Sequence, residues 1–263
     1  MNLKTKLNAA AKPVLGAFLG LPTPTLVEVI GHSGFDFIIL DGEHGCFSAQ
    51  TLEECLRAAA AVNIPAIVRP ANSDPQHIQT ALDAGAKGVQ VPSVEEPAQA
   101  RLIVEASHFP PKGRRGFGST TRAAGYGFTP RSQVVRVAGD ETLVIVQVET
   151  RKGVENLSDI LAVDGVDMVF LGTSDMSLDY GYASPTDPAM LPLLKQTIGT
   201  IRRSGKQCGI HLADWKLAPL MKDLGVTYFT VACLAIIGQS LENKFKEIEE
   251  LFSRSTGKVT GQT

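Results

Sequence analysis

Eight short apolar runs alternate with helix-like segments along this chain, at 14–19, 37–40, 64–68, 88–91, 143–148, 167–171, 207–212 and 227–231. They are rich in valine and isoleucine and are apolar throughout instead of alternating. Such runs belong to parallel strands covered on both faces. Their ends narrow the choice further. Phe37-Ile-Ile-Leu40 runs into Asp41-Gly-Glu-His44, and Ala66-Ile-Val68 into Arg69. Val144-Ile-Val146 runs into Gln147 and Glu149, and Met168-Val-Phe-Leu171 into Gly172-Thr-Ser-Asp175. Polar groups delivered at the same end of several parallel strands describe a composite site on one face, where barrel enzymes keep their chemistry. Eight strand-helix repeats in 263 residues predict a (β/α)8 barrel, a single domain over 1–263, because such barrels take about 250 residues. An open doubly wound sheet is the competitor, but no glycine fingerprint follows the first strand.

Local signals place the helices. Ser48 offers capping chemistry for a helix over 51–62, and Asp74-Pro75 supplies the first residues of another ending at Gly85. Further helices are expected over 94–107, 131–137, 152–161, 190–204 and 214–224, and a last one from about 238 to 252 with a frayed tail behind it. The rhythm breaks at 109–130, a glycine-rich stretch too long for a plain connector, which reads as a binding loop, a lid or a disordered insert. A second insertion is expected over 175–188.

The totals exclude several classes. A net charge of −2 without a basic stripe makes nucleic acid an unsuitable partner. No apolar run reaches the roughly 18 residues of a membrane span, and the first residues lack a signal-peptide pattern. Cys46, Cys55, Cys208 and Cys233 show no C-x-x-C spacing, so neither zinc nor a disulfide framework is indicated, and a cytoplasmic location is expected.

Glu149 and Asp175 close consecutive strands, and two carboxylates so placed suit a hard divalent ion whose other positions go to water and substrate oxygens. The alternatives are that each pairs with an arginine, or that Asp175 caps a helix. His44, beside Asp41 and Glu43, is a candidate acid-base group, against the more common structural role of a lone histidine. Arg69 puts a permanent charge at the end of an apolar strand. It calls for a bidentate carboxylate ligand or a developing enolate oxygen, or else a salt bridge to Asp41 or Glu43. No expected strand ends in lysine, so a Schiff-base mechanism lacks its nucleophile. Gly113-Arg-Arg-Gly-Phe-Gly118 is a weak anion-binding signal.

At these residues the sequence resembles the HpcH/HpaI aldolase family, metal-dependent class II pyruvate aldolases on a phosphoenolpyruvate/pyruvate-type barrel. The resemblance spans about Val14 to Leu251. It rests on Asp41-Gly-Glu-His44, Val68-Arg-Pro70, Pro110-Pro-Lys-Gly-Arg-Arg-Gly116, Gln147-Val-Glu149 and Gly172-Thr-Ser-Asp-Met-Ser177. It implies that Glu149 and Asp175 bind magnesium, manganese or cobalt, which would chelate a 2-keto acid through its carboxylate and carbonyl oxygens. Arg69 would neutralise the enolate oxygen formed on cleavage of a 4-hydroxy-2-keto acid to pyruvate and an aldehyde, and His44 would act through a water. Gln147 and Asp41 match substrate-contacting positions. The amides around Ser174 and Asp175 would hold the pyruvate carboxylate, Gly172 and Ser174 would contact the substrate, and Phe18 would shape the pocket. Asp83 matches an aspartate that reaches a neighbouring subunit's histidine, which implies a homo-oligomer, typically a hexamer, with the last helix packing on a neighbour. Breakdown of aromatic or sugar acids is the metabolic setting implied. Two departures stand out: Thr173-Ser174 where the family usually has proline after the glycine, and His211 where it usually has an aliphatic residue. A lyase for CoA thioesters on the same barrel and a non-catalytic keto-acid binder are the rival readings.

Overall fold

The eight apolar runs pair in parallel and close on themselves in sequence order. The strands are β1 (Val14–Leu19), β2 (Phe37–Asp41), β3 (Ala66–Arg69), β4 (Gly88–Val91), β5 (Leu143–Val148), β6 (Met168–Leu171), β7 (Gln207–His211) and β8 (Tyr228–Ala232). The structure, a computed structural model, describes residues 2–9 and 12–256. Every residue of β2 through β6 is buried, as expected of strands with side chains on one face and helices on the other.

The barrel interior is filled by alternate residues of the strands. Val14, Phe37, Ile39, Ile67, Leu143, Ile145, Met168, Phe170 and Tyr228 form one apolar cluster. Phe37 and Tyr228 stack with ring centroids 4.1 Å apart. They find room because β1 and β7 present glycines opposite: a Cβ on Gly16 would stand 2.0 Å from the Phe37 ring, and one on Gly209 would stand 2.9 Å from Tyr228. The same cluster includes Leu3 and Leu7 from helix Leu3–Ala9, which has no counterpart in the sequence-based reading. This helix plugs the end where strands begin. Lys4 binds Asp167, just before β6 (2.8 Å), and Lys6 pairs with Asp36, just before β2.

The expected helix caps form. Ser48 accepts from the Thr51 amide in a reciprocal capping box, and Asp74 accepts from the Gln76 amide at 2.8 Å. Two expectations are corrected. Residues 175–188 are not one insertion, because helix Thr173–Asp179 starts directly behind β6. The stretch 152–161 is two short helices, Arg151–Glu155 and Leu157–Leu161. The segment 109–130 is folded: Phe109 and Ala124 pack on Val134 of helix Arg131–Glu141. It is pinned to the end of helix Pro75–Asp83 by Arg115 on Asp83 (2.7 Å) and by Arg122 on the Ala84 carbonyl (2.9 Å).

The chain divides into two compact units, one up to Val231 and one from Ala232 onward. The second consists of helix Cys233–Thr256, which starts before the expected position 238 and so takes in the Cys233–Ile237 run. Leu234, Leu241, Phe245 and Ile248 recur on it at helical spacing and are all exposed. The frayed tail expected from 253 is helical to Thr256, and 257–263 lie outside the described residues. Among the described residues no helix is long and apolar enough to cross a membrane.

Candidate active site

The register of β2 on β3 sets Asp41 beside Arg69, each the last residue of its strand. The pair is bidentate: Arg69 Nε donates to Asp41 Oδ1 (2.8 Å) and Nη2 to Oδ2 (2.6 Å). The third nitrogen, Nη1, stands 2.9 Å from Glu43 Oε2. The salt bridge considered for Arg69 is present, and both Asp41 and Glu43 take part in it. Asp41 Oδ1 also accepts from the Glu43 and His44 amides, so the turn after β2 is folded around that carboxylate.

Charge is distributed unevenly here. Burial pushes the Asp41 carboxyl up, but the hydrogen bond and charge of Arg69 and the two amides outweigh it and hold Asp41 below its ordinary range. Glu43 goes the other way: burial raises it, Arg69 offsets only part, and the Glu149 charge raises it again. Burial disfavours the Arg69 charge, yet Asp41, Glu43 and Glu149 together raise its pKa further. Glu149 therefore shares one electrostatic space with the Asp41–Arg69–Glu43 group.

Glu149, just past β5, is 4% exposed. Its Oε1 accepts from the Ser93 amide (2.8 Å) and hydroxyl (3.1 Å), and its Oε2 from Gln147 Nε2. Gln147 in turn accepts from Gln90 Nε2 at 2.7 Å. Gly172 lies against this carboxylate, since a Cβ there would come within 2.3 Å of Glu149 Oε2. Gly172 is also the N-cap of helix Thr173–Asp179, whose first turn carries the exposed Ser174 and Asp175. Asp175 thus does lie in a helix first turn, while Glu149 is held by amides and a hydroxyl and not by an arginine.

The donor set fits a hard divalent ion. Glu149 and Asp175 offer only oxygens, and Gly172 packs so close to Glu149 Oε2 that only a residue without a Cβ fits there. Among the described residues no group of three or more histidine, cysteine, aspartate or glutamate side chains forms a metal cluster. Two carboxylates with the remaining positions left to water and substrate are the magnesium pattern, not the closed zinc one.

An aromatic wall flanks the charged group. The Arg69 guanidinium carbon lies 4.9 Å from the Phe18 ring centroid, and the Phe18 ring meets Phe170 (6.0 Å) and His211 (6.2 Å) edge-on. His211 Nδ1 is 3.1 Å from Thr230 Oγ1. Burial and the nearby Arg69 charge lower the His211 pKa, so its imidazole favours the neutral form. His44 stands at the rim, its side chain 65% exposed and its Nε2 3.7 Å from Glu43 Oε2.

Phe18, Asp41, Arg69, Gln147, Glu149 and Gly172 thus gather at one mouth of the barrel, with His44, Ser174 and Asp175 on its rim. Asp83 does not join them. It ends the helix that leads into β4, on the side where strands begin, and is held there by Arg115. The sequence-based reading missed Gln90, Ser93 and Thr230. Gln90 had left a trace: it is the one polar residue within Gly88-Val-Gln-Val91, an otherwise apolar strand.

Residues 15–223 match the model of the HpcH/HpaI aldolase/citrate lyase family. A 4-hydroxy-2-oxo-heptane-1,7-dioate aldolase of Escherichia coli is 39% identical over 224 residues, 84% of this chain and 85% of that protein. The crystal structure of an HpcH/HpaI aldolase from Desulfitobacterium hafniense DCB-2 superposes with a TM-score of 0.87 at 28% identity, covering 95% of this chain and 97% of that one. The crystal structure of citrate synthase SbnG superposes equally well, with a TM-score of 0.87 at 27% identity over 96% and 99% of the two chains.

Proposed function

The chain belongs to the HpcH/HpaI aldolase/citrate lyase family, and from that premise we propose that it is a divalent-metal-dependent aldolase that reversibly cleaves a 4-hydroxy-2-keto acid to pyruvate and an aldehyde. What carries this reading is the pairing, at one barrel mouth, of a buried arginine with a carboxylate set that outnumbers it. Arg69 faces Asp41 and Glu43 and feels Glu149. A site with surplus buried negative charge calls for a further cation.

Glu149 and Asp175 would hold magnesium, manganese or cobalt, which supplies positive charge for the carboxylate and carbonyl oxygens of the keto acid. The chain's own groups do the rest. The first-turn amides behind Gly172 would suit the pyruvate carboxylate. Cleavage removes the proton of the C4 hydroxyl, breaks the C3–C4 bond and leaves the electron pair as an enolate, whose C3 is then protonated to give pyruvate. Arg69, oriented by Asp41, stabilises the oxygen that gains charge. His44, exposed at the rim, exchanges the hydroxyl proton through a water. Gln147 contacts the keto acid, and Phe18, Phe170 and His211 shape the space on the aldehyde side.

Asp83 has its role between subunits. It lies where strands begin, so pairing with His44 requires a second copy of the chain. A homo-oligomer, of hexamer type, would also cover the apolar face of helix Cys233–Thr256. Four free cysteines, three of them buried, agree with a reducing cytoplasm.

Proton exchange at the pyruvate methyl group in deuterated water tests the chemistry without an aldehyde. Exchange that needs manganese and stops with EDTA is expected, and Glu149→Gln should abolish it. One rival reading is chemistry on a CoA thioester on the same barrel. Absence of exchange with any metal, together with turnover of an acyl-CoA, would favour that rival.

A further inference from the structure

Glu149 is held by three hydrogen bonds, and their donors trace back to residues that the proposed chemistry leaves unused. The Ser93 amide and hydroxyl converge on Oε1, while Gln147 Nε2 reaches Oε2. An ionised carboxylate only accepts, so Gln147 must turn its NH2 toward Glu149, and its own carbonyl then faces away. There it meets Gln90 Nε2 at 2.7 Å. Gln90 is fully buried and its Oε1 ends the relay without a hydrogen-bond partner. An unpaired buried carbonyl is unfavourable, as is the left-handed φ of 55° at Ser93, a conformation uncommon for any residue with a side chain. Both unfavourable features sit on the two residues that fix one carboxylate. Strain persists where the surroundings over-determine it, often at functional sites.

We infer that Gln90 and Ser93 are positioning residues for Glu149, setting which of its lone pairs a cation can reach. Ser93 occupies both lone pairs of Oε1. Gln90 locks the Gln147 amide so that its NH2 occupies one lone pair of Oε2. Oε2, against which Gly172 packs without a Cβ, thus accepts one hydrogen bond to the two on Oε1, and its second lone pair is the one left for a cation. Glu149 then binds the ion through one oxygen, and Gln90 acts on the ion from two residues away. This rests on the reading of Glu149 as a metal ligand.

The test is manganese affinity, followed by the electron paramagnetic resonance signal of the free ion, with melting temperature measured on the same samples. Gln90→Leu frees the Gln147 amide and should weaken manganese binding by roughly 10- to 100-fold, the usual scale for an outer-shell partner. Its melting temperature should stay near wild type, because one unpaired buried carbonyl, on Gln90, is exchanged for another on Gln147. Ser93→Gly keeps the amide donor, drops the hydroxyl and relaxes φ, so it should bind manganese less tightly while melting no lower. A Gln90→Leu protein that binds manganese as tightly as wild type, whatever its melting temperature, overturns the inference. Should that variant fail to fold, unchanged affinity in Ser93→Gly overturns it instead. Wild-type protein that takes up no manganese overturns both this inference and the metal reading beneath it.

Discussion

Ion pairs sit at both ends of this barrel, and they are built differently. Where strands begin, Lys4 pairs with Asp167 and Lys6 with Asp36, one cation to one carboxylate. Each of those aspartates also accepts a strand-start amide, Val144 at 2.9 Å and Leu15 at 2.8 Å. Lys4 and Asp167 keep side-chain exposures of 24% and 20%. Where strands end, the Arg69 and Asp41 side chains are each only 9% exposed, the geometry is bidentate, and Glu43 and Glu149 add further negative charge beside the one guanidinium. A balanced, half-wet pair closes a core cheaply. A buried, unbalanced group is costly to keep and is ready for a cationic or anionic ligand.

The contrast can be broken first at Arg69. Arg69→Ala should lower pyruvate formation by about 10²- to 10³-fold, the scale for losing one donor to a developing oxyanion. It should also lower unfolding free energy by ~3–5 kcal/mol in urea titrations, since it strands the buried Asp41 carboxylate. Leu7→Ala strikes the other end. Leu7 is 4% exposed within the plug, so its truncation should cost about 2–5 kcal/mol while leaving pyruvate methyl exchange per folded molecule unchanged. Equal damage to exchange would mean that the two ends are not independent.

A smaller effect sharpens the comparison through pH. Burial, then the Lys4 charge, lowers the His108 pKa below its ordinary 6.5. The unfolded chain takes up a proton there that the native state refuses, so stability should fall as pH drops below 6.5. Burial gives His211 the same sign. Urea midpoints at successive pH values should show this slope, and His108→Gln should flatten part of it. Smallest of all should be Lys4→Ala, whose partly exposed pair is worth about 1 kcal/mol or less, with no change in exchange. A large loss of exchange from Lys4→Ala would erase the distinction between the two ends.

Much of the site was legible because strand ends are local features. Asp41, Arg69, Gln147 and Glu149 each stand where an apolar run turns polar, and the same direction of every run puts them at one mouth. Helix Thr173–Asp179 escaped notice because its seven residues give too little apolar periodicity. Helix Leu3–Ala9 did so too, with two buried leucines as its whole signal. The last helix was placed too late because Cys233–Ile237 has no polar face to mark a first turn.

The architecture and the set of polar groups at the strand ends are written in the order of residues along the chain. Both follow from hydrophobic runs and their boundaries, which are read within a few residues. Only the tertiary structure decided which of those groups meet. Asp41 grips Arg69 because of the register of β2 on β3, and Gln90 orders Gln147 across 57 positions because β4 lies beside β5. It also sent Asp83 to the opposite end, since a barrel helix runs back against its strands and delivers its last residue where the next strand begins. Hydrogen bonds and charge act across a few ångströms of space, and closure of the barrel sets those distances.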